Sequence, residues 1–153
     1  MRRLFRSAFS DNRGSTLIET AVAMLVVIPM LLWLFEMCMY CYTTAVLQYA
    51  ARQGVEYAMT HGTDAPNCSG PGGSINITCP DAAGSNVTGV VAQMAKSGGH
   101  NMTSLTVQST WAAGNNNPES SVTVMITTPY TPYIHLPFVP STIKGTATGN
   151  IVY

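Results

Sequence analysis

The side chains of this 153-residue chain that can take part in the most kinds of reaction are four cysteines and three histidines. The histidines are His61, His100 and His135, and none accompanies a nucleophile motif or paired carboxylates at a useful spacing. Because catalysis requires several such groups in one constellation, the sequence favours a structural protein over an enzyme. It also indicates no cofactor, no metal site and no small-molecule substrate.

The cysteines form two close pairs. Cys38 and Cys41 have the CxxC spacing of thiol redox motifs, but they lie in an apolar helical segment, which favours burial or helix packing instead. Cys68 and Cys79 bracket the middle of a loop rich in Gly and Pro. Outside the cytoplasm such a pair forms a disulfide, which stabilises the fold by about 3 kcal/mol in the entropic account. The alternative, a metal or redox pair, lacks further ligands at suitable spacing.

One carboxylate, Glu19, lies in the first turns of a long apolar run. Residues 21–35 contain no charged side chain, and apolar character continues to about residue 42. Roughly 20 such residues cross the hydrocarbon core of a bilayer as a helix, so the sequence predicts a membrane span over residues 21–42. An acid in such a segment is costly and is functional by default. The other interpretation is an interfacial Glu19 that snorkels outward.

A single helix over residues 15–61 is predicted to carry this span and to continue beyond it. Small and apolar residues recur at helical spacing after the span, and His61-Gly62 supplies a C-terminal stop. Pro29 removes one backbone donor inside the helix and is expected to bend it. A cleaved secretory signal peptide is disfavoured, because no small-x-small site follows the run at the right distance.

Charge is segregated along the chain. Residues 1–14 have four arginines and one aspartate, a net charge of 4 − 1 = +3, whereas residues 15–153 have three basic and six acidic residues, a net charge of 3 − 6 = −3. Basic residues ahead of an apolar run and few behind it predict a cytoplasmic N-terminus. The polar remainder offers no basic surface for nucleic acid.

The segment around Gly14 resembles the processing site of type IV prepilins and pseudopilins. The resemblance lies in a basic residue and a glycine before the apolar run and a glutamate fifth after the glycine: Arg13, Gly14, Ser15, Thr16, Leu17, Ile18 and Glu19. It implies that a prepilin peptidase cleaves between Gly14 and Ser15 on the cytoplasmic side. In an assembled bundle Glu19 would then pair with the Ser15 α-ammonium of a neighbouring subunit, and such a buried ion pair sets axial register.

Residues 13–61 as a whole look like the TadE-like pseudopilins, minor components of the tight-adherence (Tad, or Flp) pilus and secretion machinery. The matching features beyond the processing site are Pro29, Glu36 and the stretch Ala50–Ala58. The resemblance implies a cytoplasmic leader over residues 1–14 and a bacterial inner-membrane location, with incorporation into a surface pilus as one outcome. It implies as partners a prepilin peptidase, the major Flp pilin, other minor pilins and the inner-membrane Tad assembly platform.

Residues 62–153 are predicted to form a small exterior domain, periplasmic or extracellular, which makes the fold α+β. A short helix capped by Ser85 or Asn86 is followed by a roughly three-stranded antiparallel sheet, since apolar and polar residues alternate with period two. The stretch 129–140 combines four prolines with large apolar side chains. Two interpretations stay open for it: a rigid loop over the sheet, or an exposed contact surface for a partner or the outer membrane leaflet.

The predicted function is that of a minor pilin or pseudopilin, processed after Gly14 and assembled through its apolar helix. The alternative is an unprocessed, signal-anchored periplasmic binding or scaffold protein. The two differ in whether the mature chain begins at Ser15.

Overall fold

A computed structural model of the chain describes residues 13–71, 84–98, 104–134 and 139–152. Its elements are two helices, α1 (Arg13–Thr60) and α2 (Ser85–Ser97), followed by three strands, β1 (Thr106–Trp111), β2 (Ser121–Pro129) and β3 (Thr142–Asn150). The chain divides into an N-terminal unit, Met1–Cys38, and a C-terminal unit, Met39–Tyr153.

Helix α1 is 48 residues long and includes Pro29 in its interior. At a rise of about 1.5 Å per residue it extends for roughly 70 Å. It ends at Thr60, one residue before the predicted end, where His61 Nδ1 lies 2.9 Å from the Tyr57 carbonyl oxygen and the chain bends towards Gly62. The long N-terminal helix, predicted from the apolar run and the helical spacing after it, is therefore present.

The three strands form one antiparallel sheet in the order β1-β2-β3. In its register Val124 lies between Ser109 of β1 and Ala147 of β3. This sheet and the short α2 confirm the predicted α+β class, including the three-stranded antiparallel arrangement. Ile151 is buried just after β3 ends.

Strand β2 shows why the sheet has one buried face. Val122, Val124 and Ile126 are fully buried, whereas the alternate residues are half-buried. Successive side chains of a strand point to opposite faces, so one face of β2 enters the core. The opposite face of the sheet is dominated by threonine, with Thr123 and Thr148 hydroxyls 3.0 Å apart across β2 and β3.

The core of the C-terminal unit forms between this sheet, α2 and the part of α1 that belongs to the unit. The buried residues of α1 are small or medium in size: Leu47, Ala50, Ala51, Val55 and Ala58. Two glycines permit close approach. A Cβ on Gly54 would overlap Val91 of α2, and a Cβ on Gly145 of β3 would lie 2.7 Å from the Leu47 carbonyl carbon and oxygen.

The start of α2 differs from the prediction. Its N-cap is Gly84, in the left-handed region at φ 66°, and no side chain caps the helix. The prediction of Ser85 or Asn86 as cap was therefore wrong. The six-membered ring of Trp111 packs where a Gly84 side chain would lie, so this tertiary contact requires a glycine before the helix.

Candidate functional site

Gly14 and Ser15 lie in the first turn of α1, and both are exposed. No atom of the described residues lies within 4 Å of the position that a Gly14 Cβ would occupy. Packing against the described part of the chain therefore does not require a glycine there. Such a glycine is available as a recognition feature for another protein.

Glu19 is exposed on the surface of α1, one turn beyond Ser15. Glu19 is four positions after Ser15, which corresponds to an axial rise of about 6 Å. Among the described residues it has no ion-pair partner. The neighbouring Thr20 hydroxyl donates back to the carbonyls of Thr16 and Leu17 at 3.0 Å, so it is satisfied within the helix. Glu19 is the one carboxylate on this stretch of helix.

The helix that follows Glu19 exposes apolar side chains. In the described part of the N-terminal unit the exposed large apolar side chains range from Met37 at 40% to Leu25 at 74% of their area. Helix α1 is long and apolar enough to cross a membrane, and its most apolar stretch of 18 residues is not buried within the described part of the chain. A buried core helix is not apolar and exposed in this way, so the helix is compatible with a single-pass membrane anchor.

Pro29 lies in the middle of this apolar stretch, and α1 continues through it. Proline has no N–H, so the Leu25 carbonyl lacks its usual helical donor. Membrane helices tolerate such a position. The bend expected at Pro29 stays a prediction.

Glu36 is a residue whose burial could not be predicted from the sequence. It follows the exposed Phe35, yet it is fully buried, with no exposed area, and it takes part in a polar or electrostatic interaction. From the sequence, Glu36 is only a feature of the family resemblance, which did not indicate that other residues of the chain cover this side chain. A buried charge requires a partner, and such a pair can favour one packing arrangement over its alternatives.

The cysteines of α1 also differ from expectation. Cys38 and Cys41 are free and exposed, so burial within the chain was wrong for both, and packing against another subunit stays a prediction. Cys68 is 3% exposed, in the segment after α1. Its predicted partner, Cys79, lies outside the described residues, and the Cys68–Cys79 disulfide stays a prediction.

The described ends of the proline-rich stretch 129–140 pack on the core, and its role as a contact surface stays a prediction. Tyr130 is 3% exposed and contacts Tyr40 edge-on, and Val139 packs against the core. Tyr133, three residues after Tyr130, is 62% exposed. Residues 135–138 lie outside the described part of the chain. The ends of the stretch are thus tucked over the core, and its Tyr133 faces outward.

Other groups in the described part of the chain offer little chemistry. Among those residues, no cluster of three or more His, Cys, Asp or Glu side chains is placed to hold a metal ion. An open cleft of about 420 Å³ lies beside α2, lined by uncharged side chains that include Tyr57, Asn67 and Asn86. His61 stacks on the Tyr57 ring, with centroids 4.0 Å apart.

Comparison with known proteins identifies one family. The model of the family described as TadE-like protein matches residues 14–56, and the resemblance predicted from the sequence is confirmed over that range. The match begins at Gly14, includes Glu19, Pro29 and Glu36, and ends inside α1. No curated protein and no solved structure matches the chain.

Proposed function

We propose that this TadE-like chain is a minor pilin or pseudopilin of a Tad-type (Flp) pilus assembly and secretion machinery. The observation that carries the proposal is the family match that begins at Gly14, on a helix that exposes Glu19 and a long run of apolar side chains. The family suggests a Tad pilus-related, structural role. The specific steps below are our inference.

The first step is processing. A prepilin peptidase hydrolyses the peptide bond between the Gly14 carbonyl and the Ser15 nitrogen, and water supplies the hydroxyl and the proton. Removal of residues 1–14 takes away a net charge of 4 − 1 = +3. It also creates an α-ammonium on Ser15, at the start of the apolar helix. The exposure of Gly14 supports this step.

The second step is insertion of the helix into a bundle of related subunits. A carboxylate on an otherwise apolar surface is costly in such a bundle unless a cation meets it. The Ser15 α-ammonium of a neighbour reaches Glu19 when the two helices are displaced axially by about 6 Å, the rise of four residues. Because a misaligned subunit leaves both charges unpaired, at a cost of about 3–5 kcal/mol, the pair selects one register.

The proposed setting follows from the same features. The chain spans the bacterial inner membrane once, with residues 1–14 in the cytoplasm and the C-terminal unit in the periplasm or outside the cell. Its proposed partners are the prepilin peptidase, the major Flp pilin, other minor pilins and the inner-membrane Tad assembly platform. Its role is structural rather than enzymatic, and surface display in a pilus is part of the proposal.

The decisive experiment is to determine the N-terminus of the protein extracted from membranes, in cells with and without the peptidase. We expect Ser15 as first residue only where the peptidase is present, and we expect Gly14→Val to retain residues 1–14. A chain that keeps its leader in the presence of an active peptidase and a working Tad system contradicts the proposal. It would leave an unprocessed, signal-anchored binding or scaffold protein.

Glu19→Gln separates assembly from processing. We expect this variant to be cleaved normally but to be lost from purified assemblies, because the amide cannot compensate a buried ammonium. Glu56→Gln, which neutralises an exposed acid on the same helix, is the matched control and should assemble normally. Carbodiimide treatment of assemblies should also join Glu19 to Ser15 of another subunit directly. Normal incorporation of Glu19→Gln would refute the register mechanism while leaving cleavage intact.

A further inference from the structure

The C-terminal unit has a distinct end at which α1 enters it. Tyr40, the second residue of this unit, packs edge-on against Tyr130, with ring centroids 5.6 Å apart. Seven residues further along α1, the backbone of Leu47 lies against Gly145. The chain directly after β2 therefore lies beside the first turn of α1 in this unit. We call this the entry end.

Helix α2 runs antiparallel to α1 and finishes at the same end. Its beginning lies against Gly54, because Val87 and Val91 fill the space beside that glycine. Its C-cap, Gly98, accepts a hydrogen bond from the Tyr42 hydroxyl at 3.1 Å. The opposite end of the unit is marked by Met59, whose carbonyl accepts from the Val152 amide at 3.1 Å.

Exposed aromatic and basic side chains collect at the entry end. Tyr42 and Tyr133 are 52% and 62% exposed. Lys96, in the last turn of α2, and Lys144, the third residue of β3, are exposed as well. In the described part of the unit the remaining basic residue is Arg52.

Acidic side chains lie towards the opposite end. Glu56 is in the last two turns of α1, Asp64 follows that helix, and Glu119 donates its amide to the Ile151 carbonyl beyond β3. All three are exposed. Arg52 is exposed one turn before Glu56. The described part of the unit therefore has two lysines at the entry end, and three acids with one arginine towards the far end.

The C-terminal unit begins within the last residues of the predicted membrane span, 21–42. The exposed apolar surface of α1 continues to Met37, and three residues later Tyr40 packs in the core, after a rise of about 5 Å. The polar zone of each leaflet is about 5–7 Å thick. Tyrosine is enriched at this depth, and lysines within about 8–10 Å of the surface are attracted to anionic lipids.

We propose that the entry end is a lipid-docking surface, which binds the headgroups of an anionic phospholipid bilayer through Tyr42, Tyr133, Lys96 and Lys144. The tyrosine rings enter the interface, and the lysines face the phosphates. Docking holds the C-terminal unit against the membrane before assembly lifts it away. The proposal requires the membrane span but neither cleavage at Gly14 nor Tad partners.

The test measures immersion of a spin label in the full-length protein, reconstituted in vesicles of phosphatidylcholine alone or mixed with phosphatidylglycerol. The label is placed by Ser141→Cys, at the entry end, in a background with Cys38→Ser and Cys41→Ser. Ala113→Cys, exposed in the β1–β2 connection at the far end, is the matched control. The readout is the accessibility of the label to oxygen, which partitions into lipid, relative to a water-soluble nickel chelate.

We expect a higher oxygen-to-nickel ratio at Ser141→Cys than at Ala113→Cys, and a larger difference in phosphatidylglycerol. Each lysine near an anionic surface changes the ratio of docked to undocked protein by about fivefold. The double variant Lys96→Gln and Lys144→Gln should therefore lower that ratio by about 25-fold, and Tyr133→Ser should lower it as well. Thermal unfolding of each variant verifies that the exposed substitutions leave the fold intact.

Equal ratios at the two label positions in phosphatidylglycerol overturn the proposal. The proposal is also overturned if the ratio at Ser141→Cys is high but unchanged by Tyr133→Ser and by the lysine substitutions. The covalent connection to the membrane span would then be enough to explain why the label lies near the bilayer. A label at Leu34→Cys reports the span itself. If that label is accessible to the nickel chelate, the membrane anchor is refuted together with the docking surface, which distinguishes this failure from the previous two.

Discussion

Substitution of Gly145 by alanine probes the contact that brings the sheet onto α1. The added Cβ would lie 2.7 Å from the carbonyl carbon and oxygen of Leu47 and 3.0 Å from the Gln48 nitrogen. Carbon atoms in optimal contact are about 3.5–4.0 Å apart. All three neighbouring atoms belong to the backbone, so no side chain can rotate away, and β3 or α1 must move by roughly 1 Å.

The expected cost follows from this geometry. Overpacking a well-packed site costs about 1–3 kcal/mol, and a clash with helical backbone belongs at the upper end, about 3 kcal/mol. The C-terminal unit contains 115 residues, from Met39 to Tyr153. For a unit of this size 1 kcal/mol corresponds to roughly 3–5 °C, so Tm should fall by about 10 °C.

Gly89→Ala is the matched control, because it makes the same chemical change at an exposed position of α2. No atom lies within 4 Å of its Cβ position. Alanine is favoured over glycine in a helix by about 0.8–1 kcal/mol, so Tm should rise by a few degrees. The measurement is thermal unfolding of the full-length protein in detergent, followed by circular dichroism. If Gly145→Ala unfolds at the wild-type temperature, or if both variants shift in the same direction, the inferred contact is wrong.

Two further substitutions probe the core and a buried polar contact. Leu47→Ala removes a fully buried side chain and should lower the free energy of unfolding, measured by urea titration, by about 2–5 kcal/mol. Leu34 is exposed on the apolar helix, so Leu34→Ala should leave the unfolding of the C-terminal unit unchanged in the same titration. Asn116→Ala removes an amide that donates to the Ser69 carbonyl at 3.2 Å and accepts from the Thr63 hydroxyl at 3.0 Å. It should cost about 1–3 kcal/mol, and a neutral result in chemical denaturation would show that water replaces both bonds.

The long helix and the sheet could be predicted because their signals are local. The apolar run needs no partner to be recognised, and residues 14–21 together with Pro29 and Glu36 carry the family resemblance by their spacing alone. In β2 the alternation of Val122, Val124 and Ile126 with polar residues indicates a strand with one buried face whatever lies against it. Cleavage after Gly14 and the pairing of Glu19 involve other proteins, so they stay predictions.

The errors concern residues whose environment depends on distant parts of the chain. Gly84 replaced the expected side-chain cap of α2 because the Trp111 ring, 27 residues later in sequence, occupies the space beside it. Cys38 and Cys41 share the apolar composition of their neighbours but are exposed. Glu36 lies among the same neighbours and is fully buried. Composition could not distinguish these three positions, because the side of a helix that is covered depends on what packs there.

The kinds of element and their order could be inferred without coordinates, since helical and strand periodicity, glycine stops and the charge-free run are properties of neighbouring residues. The same holds for the family resemblance, which depends on spacing within one helix. The folded arrangement was needed to show which glycines admit a neighbouring backbone, which tyrosine of the proline-rich stretch is buried, and that the lysines and most of the acidic side chains lie towards opposite ends. These features arise where segments far apart in sequence meet, and pairwise contacts of that kind leave no periodic signal in the chain.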